Sequence, residues 1–221
     1  MLNIKNISKS FLQRGIVLDN LSLDVKKGES LAIMGPSGSG KTTLLNIIGL
    51  LDKPDSGEIL FNGSPVAGFT DDESAIYRNR NIGYVFQDHL LLPYLTIYEN
   101  IVLPLMASDY DMKERAEKEK QVEILMDKTG IADLKAKYPY QVSGGEAQRT
   151  ALVRALANNP SVLLADEPTG ALDAKNSDNL GDILTGMNKD FGITIILATH
   201  SAALATKMNR IYKLEEGKLK I

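Results

Sequence analysis

Gly35-Pro36-Ser37-Gly38-Ser39-Gly40-Lys41-Thr42 follows the apolar run Leu31-Ala32-Ile33-Met34 and leads into Thr43-Leu44-Leu45-Asn46-Ile47-Ile48-Gly49. The spacing is G-x-x-x-x-G-K-[ST], set between a predicted strand and a predicted helix. Glycines at these positions let the backbone curl, so that successive N–H groups point at phosphate oxygens. The helix that follows adds its positive N-terminal end. Lys41 is then placed to reach the β- and γ-phosphates, and the Thr42 hydroxyl to ligate Mg²⁺. Thr43 continues the binding loop into the helix. A ligand-free glycine-rich turn is the bland alternative, and the strand–loop–helix context argues against it.

Two more apolar runs of strand length, Val162–Ala165 and Ile193–Ala198, lie further on. Such runs suit parallel strands covered by helices on both faces, so the architecture is read as α/β. The first run ends in Asp166-Glu167. The C-terminal end of a buried strand opens on the ligand crevice of such a sheet. Asp166 is therefore a candidate for holding Mg²⁺, usually through water. Glu167, one residue on, can face a water in line with the γ-phosphate and act as general base. His200 ends the strand Thr194–Thr199 at the same sheet edge and is read as a γ-phosphate sensor. Gln87 follows Ile82–Phe86 and is within reach of Mg²⁺ or the attacking water.

The rest of the chain narrows the class. The 221 residues carry 25 basic and 28 acidic side chains, a net charge of −3, which argues against a nucleic-acid partner held by phosphate contacts. With 43% hydrophobic and 24% charged residues the composition is that of a soluble globular protein, not a disordered one. The absence of cysteine excludes disulfides and thiol chemistry. His89 and His200 are too few for a multi-histidine metal site. No stretch is apolar and long enough to span a bilayer. Met1–Asn6 lacks a signal-peptide core, so the chain is expected in the cytosol unless a partner recruits it.

Near the N-terminus Leu2, Ile4 and Ile7, then Leu21, Leu23 and Val25, alternate as in short strands. Residues Met112 to Lys128 read as a helix with a solvated charged face and a stop at Gly130. A second helix is predicted from Ser143, where Ser143-Gly144-Gly145-Glu146 fits a capping box, to Asn158 before Pro160. The reading is one domain: a core of about 1–86 and 161–221, with a mostly helical subdomain at about 87–160.

Taken in order, these residues resemble the nucleotide-binding subunit of ATP-binding cassette (ABC) transporters over nearly the whole chain. The phosphate loop is Gly35–Thr42, the Q-loop residue Gln87 and the acidic strand end Asp166-Glu167. The family signature, usually Leu-Ser-Gly-Gly-Gln, stands here as Val142-Ser143-Gly144-Gly145-Glu146. Ala171-Leu172-Asp173 matches the D-loop and His200 the switch histidine, with Ser201 where the family often has aspartate. The resemblance implies a P-loop core with a mostly parallel sheet, an antiparallel β part and a helical insertion. It also implies ATP and Mg²⁺ as cofactors and a head-to-tail dimer with ATP between the copies. Ser143, Gly144, Gly145, Glu146 and Asp173 of one chain would then complete the site of the other, and Phe11 would stack on adenine. A separate integral membrane permease is the implied partner, which would hold the chain at the inner face of the membrane.

Leu91–Thr96, Glu99-Asn100 and Val102–Leu105 look like the branch serving lipoprotein release, macrolide efflux and antimicrobial-peptide export. Tyr94, Tyr98 and Leu105 are expected on the surface that grips the permease. A cytosolic ABC ATPase working on DNA or ribosomes would want coiled coils, tandem cassettes or a basic surface. A GTPase would want Asn-Lys-x-Asp, whereas Asn188-Lys189-Asp190 is followed by Phe191.

Overall fold

The computed structural model describes residues 1–66 and 68–220. In chain order the elements are β1 (Leu2–Phe11), β2 (Gly15–Val25), β3 (Ser30–Met34), α1 (Lys41–Ile48), β4 (Ser56–Phe61), β5 (Ser64–Pro65) and α2 (Asp71–Asn81). They continue as β6 (Ile82–Val85), α3 (Ile97–Met106), α4 (Met112–Thr129), α5 (Gly144–Leu156), β7 (Val162–Asp166) and α6 (Ala174–Phe191). The chain closes with β8 (Thr194–Thr199), α7 (Ala202–Ala205), β9 (Arg210–Glu215) and β10 (Lys218–Lys220).

Two sheets form. One is antiparallel, in the order β2-β1-β4-β5; the other runs β10-β9-β3-β8-β7-β6 and is parallel except for the β9–β10 hairpin. Every residue of β7 and β8 is buried, which is why these segments read as unbroken apolar runs rather than alternating ones. The two faces of the sheet feed two cores. Ala32, Leu163, Ala165, Ile195 and Leu197 pack under α3–α6. Leu31, Ile33, Leu164 and Ile196 pack against α1 and the antiparallel sheet. On the second face the antiparallel strands β1, β2 and β4 share the cover with α1. Alternating strands can do this because their apolar side faces in while their polar side meets water.

Local signals set the helix ends. Gly130 at φ 67 takes up the left-handed turn that stops α4. The helix predicted to reach Asn158 ends at Leu156. Asn158 instead turns its amide to the Asn79 carbonyl at 2.9 Å, and Asn159 follows at φ 54. α2 was not anticipated: it is mostly polar, its Ile76 is exposed and only Ser74 is buried, so periodicity gives little signal there. Its start is nevertheless written as a Thr70–Glu73 capping box.

Register then assembles one edge. Met34 lies beside Thr199, Ala198 beside Asp166, and Val85 beside Ala165. The residues that follow these positions, Gly35, His200, Glu167 and Gln87, therefore leave the sheet side by side.

Candidate active site

At that edge a cleft of about 760 Å³ is lined by Ser37, Gly38, Gly40, Lys41, Thr42, Thr43, Gln87, Glu167, Gly170 and His200, with Arg14 at its rim. The phosphate loop forms its floor. Gly40 caps α1 at φ 105, and a Cβ there would stand 2.8 Å from Val17 Cγ1, so only glycine fits the turn. Lys41, 6% exposed, donates to the carbonyls of Gly35 at 2.8 Å and Pro36 at 3.2 Å. These bonds curl its side chain back over the loop, and its ammonium lies 3.2 Å from Glu167 Oε1.

Glu167 is held from several sides. Its backbone adopts φ 45, uncommon for a residue with a side chain, and its N–H donates to Ala198 O at 2.9 Å. Its Oε2 accepts from the His200 N–H at 3.2 Å and stands 2.8 Å from His200 Nδ1. Because a carboxylate only accepts, the imidazole presents its N–H at Nδ1. Strain of this kind points toward a positioned functional group rather than a turn. Gln87 is packed near Gly170: a Cβ built on that glycine would meet the Gln87 Cγ at 3.5 Å.

Asp166 sits behind the lining, 6% exposed, and its Oδ1 is enclosed with no hydrogen-bond partner among the described residues. Burial pushes its pKa above the usual carboxylate value and neighbouring Glu167 adds to this, while the Thr42 side chain and Lys41 pull the other way. An orphaned buried carboxylate oxygen beside a hydroxyl suits a hard divalent cation. No group of three or more His, Cys, Asp or Glu that could hold a metal occurs among the described residues. Mg²⁺ held here would accordingly draw most of its ligands from phosphate and water.

The sign of that shift gives a test. A raised folded-state pKa means that the carboxyl supports folding below its unfolded pKa and that this support is lost as pH rises through the folded value. Asp166→Asn is therefore expected to melt higher than the parent at neutral pH without nucleotide. A gain of about 1 kcal/mol would appear as roughly 2–4 °C at this chain size. The gap should close on acidification into the carboxylate range, and calorimetry at both conditions checks it.

The other predicted residues are placed elsewhere. Ser143, Gly144, Gly145, Glu146 and Asp173 do not line the cleft. Ser143 caps α5, its hydroxyl accepting from the Glu146 N–H at 3.3 Å while Glu146 Oε2 accepts from the Ser143 N–H at 2.7 Å. The Ser143 N–H and hydroxyl, both donating to the Glu146 carboxylate, lower its pKa. Asp173 caps α6 and accepts from the Asn176 N–H and Nδ2 at 2.8 Å each. Asn176 in turn abuts the start of α5: a Cβ on Gly145 would lie 2.9 Å from its Oδ1. Phe11 lies outside the cleft lining at the end of β1, 39% exposed, with the Lys9 ammonium 5.4 Å from its ring centre. Gly35 and Pro36 supply the carbonyls that hold Lys41, and Ser39 lines a neighbouring hollow.

Three further side chains hold the backbone on either side of Gln87, two from α5 and one from α3. Gln148 Nε2 donates to Phe86 O at 3.0 Å, and the Arg154 guanidinium donates to Leu90 O at 2.8 Å and His89 O at 2.7 Å. Asn100, fully buried, accepts from the Leu92 N–H and donates to Leu92, Leu95 and Thr96 carbonyls. Asn100 stands in the Glu99-Asn100 pair singled out in the sequence, whereas Arg154 carries no local signal. Asn188 spends its amide on Gly28 O and Ile193 O, a packing role that removes any reading of Asn188-Lys189-Asp190 as a base reader.

A model of the ABC transporter family matches residues 18–170. The chain is 43% identical to the uncharacterized ABC transporter ATP-binding protein YknY of Bacillus subtilis, over 99% of this chain and 95% of that one. It is 42% identical to the lipoprotein-releasing system ATP-binding protein LolD of Syntrophus aciditrophicus, over 99% and 98%. The dimeric post-hydrolysis structure of the cassette MJ0796, bound to ADP and Pi, superposes with a TM-score of 0.88 at 38% identity, covering 100% of this chain and 97% of that one. The glycine-bounded loop, the acidic strand end and this likeness over full length agree, and the chain belongs to the ABC transporter family as an ATP-binding, ATP-hydrolysing subunit.

Proposed function

We propose that two copies of this ATPase close head to tail around two ATP molecules and so drive a separate membrane subunit. The observation that carries this reading is a division of labour. Lys41, Gln87, Glu167 and His200 share one cleft, whereas the capped N-terminus of α5, with Ser143 and Gly144 exposed, opens elsewhere on the chain. A helix start offers unpaired N–H groups and a positive dipole end, which suit an anion held by a second copy. The dimeric state of MJ0796 is in keeping with this.

Within the cleft, the loop amides and Lys41 bind the β- and γ-phosphates. Glu167 takes a proton from the water that attacks the γ-phosphorus in line, and His200 holds Glu167 in place at the γ-phosphate side. Thr42, Asp166 and Gln87 would hold Mg²⁺, which when bound neutralises phosphate charge. Phe11 offers a flat apolar face to the adenine.

Among the described residues no helix is long and apolar enough to cross a membrane, so force has to pass through a docking surface. The segment before α3 suits that role: Tyr94 is 91% exposed, with Leu90 and Leu92 also at the surface. Two of the side chains expected there do not belong fully to it. Leu105, 1% exposed, points inward because α3 turns that face onto the core, and Tyr98 is partly buried against the same core. The names of LolD relatives favour release of lipid-modified protein as the work done, with macrolide or peptide export as the neighbouring possibilities. The test is reconstitution: a purified candidate membrane subunit is expected to raise ATP turnover severalfold, and Tyr94→Ala to lower that stimulation. Turnover indifferent to every such membrane subunit would remove docking from the account.

A further inference from the structure

Arg14 sits in the turn between β1 and β2, which closes by an Arg14 N–H bond to Phe11 O at 3.1 Å. Arg14 lines the phosphate cleft and also a neighbouring hollow of about 550 Å³ that contains Ile16, Val17 and Gly38. Arg14 and Gly38 are common to both, so the two hollows form one trough that passes over the phosphate loop. Among the described residues the guanidinium has no ion pair or side-chain hydrogen bond.

The charges along the trough give that position a consequence. Lys41 and Glu167 are paired at 3.2 Å and largely cancel. In the outer hollow Asp19 is offset by Lys218 at 3.2 Å, and Glu216 adds a negative charge. Among the described residues Arg14 is then the one positive charge lining the trough without a paired carboxylate. A polyphosphate lying over Gly38 would have the Lys41 ammonium at the floor and repulsion from Glu167 and Glu216 at either end. A guanidinium at the rim meets such a chain with forked, charge-assisted donors.

We propose that Arg14 binds the nucleotide's phosphate chain from the solvent side of the cleft, a contact that sets ATP affinity rather than the chemical step. This rests on the nucleotide site described above. The experiment is equilibrium titration of the full chain with ATP, ADP and adenosine, together with steady-state turnover, for the parent, Arg14→Gln and Arg14→Lys. Arg14→Gln is expected to weaken ATP and ADP roughly tenfold, the scale of a partly exposed charged hydrogen bond. KM should rise by a similar factor, kcat should change much less, and adenosine should compete equally against all three chains. Arg14→Lys should recover part of the loss, because it keeps the charge but not the fork. Melting curves without nucleotide should coincide, since the position is an exposed turn.

Unchanged ATP affinity in Arg14→Gln overturns the proposal. So does an equal loss for adenosine, which would make the contact one to base or ribose, and so does a lysine variant no better than glutamine. A parent chain that fails to bind ATP would overturn the nucleotide site itself; a parent that binds while Arg14→Gln matches it would overturn only the role of Arg14.

Discussion

Glu167→Gln is expected to bind ATP at least as tightly as the parent and to hydrolyse it on the order of 10²–10⁴ times more slowly, the usual worth of a positioned general base. The amide keeps the shape of the side chain and can still accept from the His200 N–H, which lies 3.2 Å from Oε2. It cannot take a proton from water. It also drops the charge that faces Lys41 at 3.2 Å, which leaves the ammonium free for phosphate. With hydrolysis stalled, the ATP-bound pair has no exit, so a stable dimer should appear by sedimentation velocity in ATP and dissolve in ADP. Adding Ser143→Arg should abolish that dimer while nucleotide binding by the single chain persists, because Ser143 is remote from its own cleft. A Glu167→Gln chain that turns over within a few-fold of the parent would move the general base elsewhere.

Lys41→Ala is expected to cost binding itself. The ammonium is almost fully buried, donates to two loop carbonyls and is the cation nearest Glu167. Its removal takes away a charge-assisted contact to phosphate, worth roughly 10–150-fold in affinity at 1.5–3 kcal/mol. It also leaves Glu167 facing the triphosphate without compensation, and loosens the Gly35–Pro36 curl. Turnover should fall further than affinity, since the γ-phosphate charge that grows in the transition state loses its partner. Lys41→Arg is not expected to rescue, because a planar fork does not fit a slot shaped by two carbonyls. Equilibrium titration with ATP checks the first effect and steady-state assays the second. Near-parental affinity in Lys41→Ala would contradict the assignment of the cleft floor.

The parts of this molecule that were legible in its sequence are those whose cause is local. The loop before Lys41 needs glycines because of its own backbone. The β7 and β8 runs are apolar because both faces are covered. The α5 start carries its Ser143–Glu146 box within four residues. What was hidden depends on which way an element faces after folding. Leu105 and Tyr94 both look like surface candidates on paper, and only the packing of α3 separates a core leucine from an exposed tyrosine. Arg154 acts on the His89 and Leu90 carbonyls, far away in sequence, so no spacing rule marks it. α2 lies between these cases: its capping box was readable, but a mostly polar helix gives periodicity little to detect. Arg14 became visible only when β1 and β2 carried their turn to the rim of a cleft built from distant strands.

The shared site is tested most directly by the ATP turnover of the parent chain per molecule, followed across a wide dilution series at saturating ATP. Two half-sites that meet only in the dimer predict a specific rate that falls steeply on dilution and levels off at high concentration. A specific rate that stays constant down to concentrations where only single chains remain would contradict it.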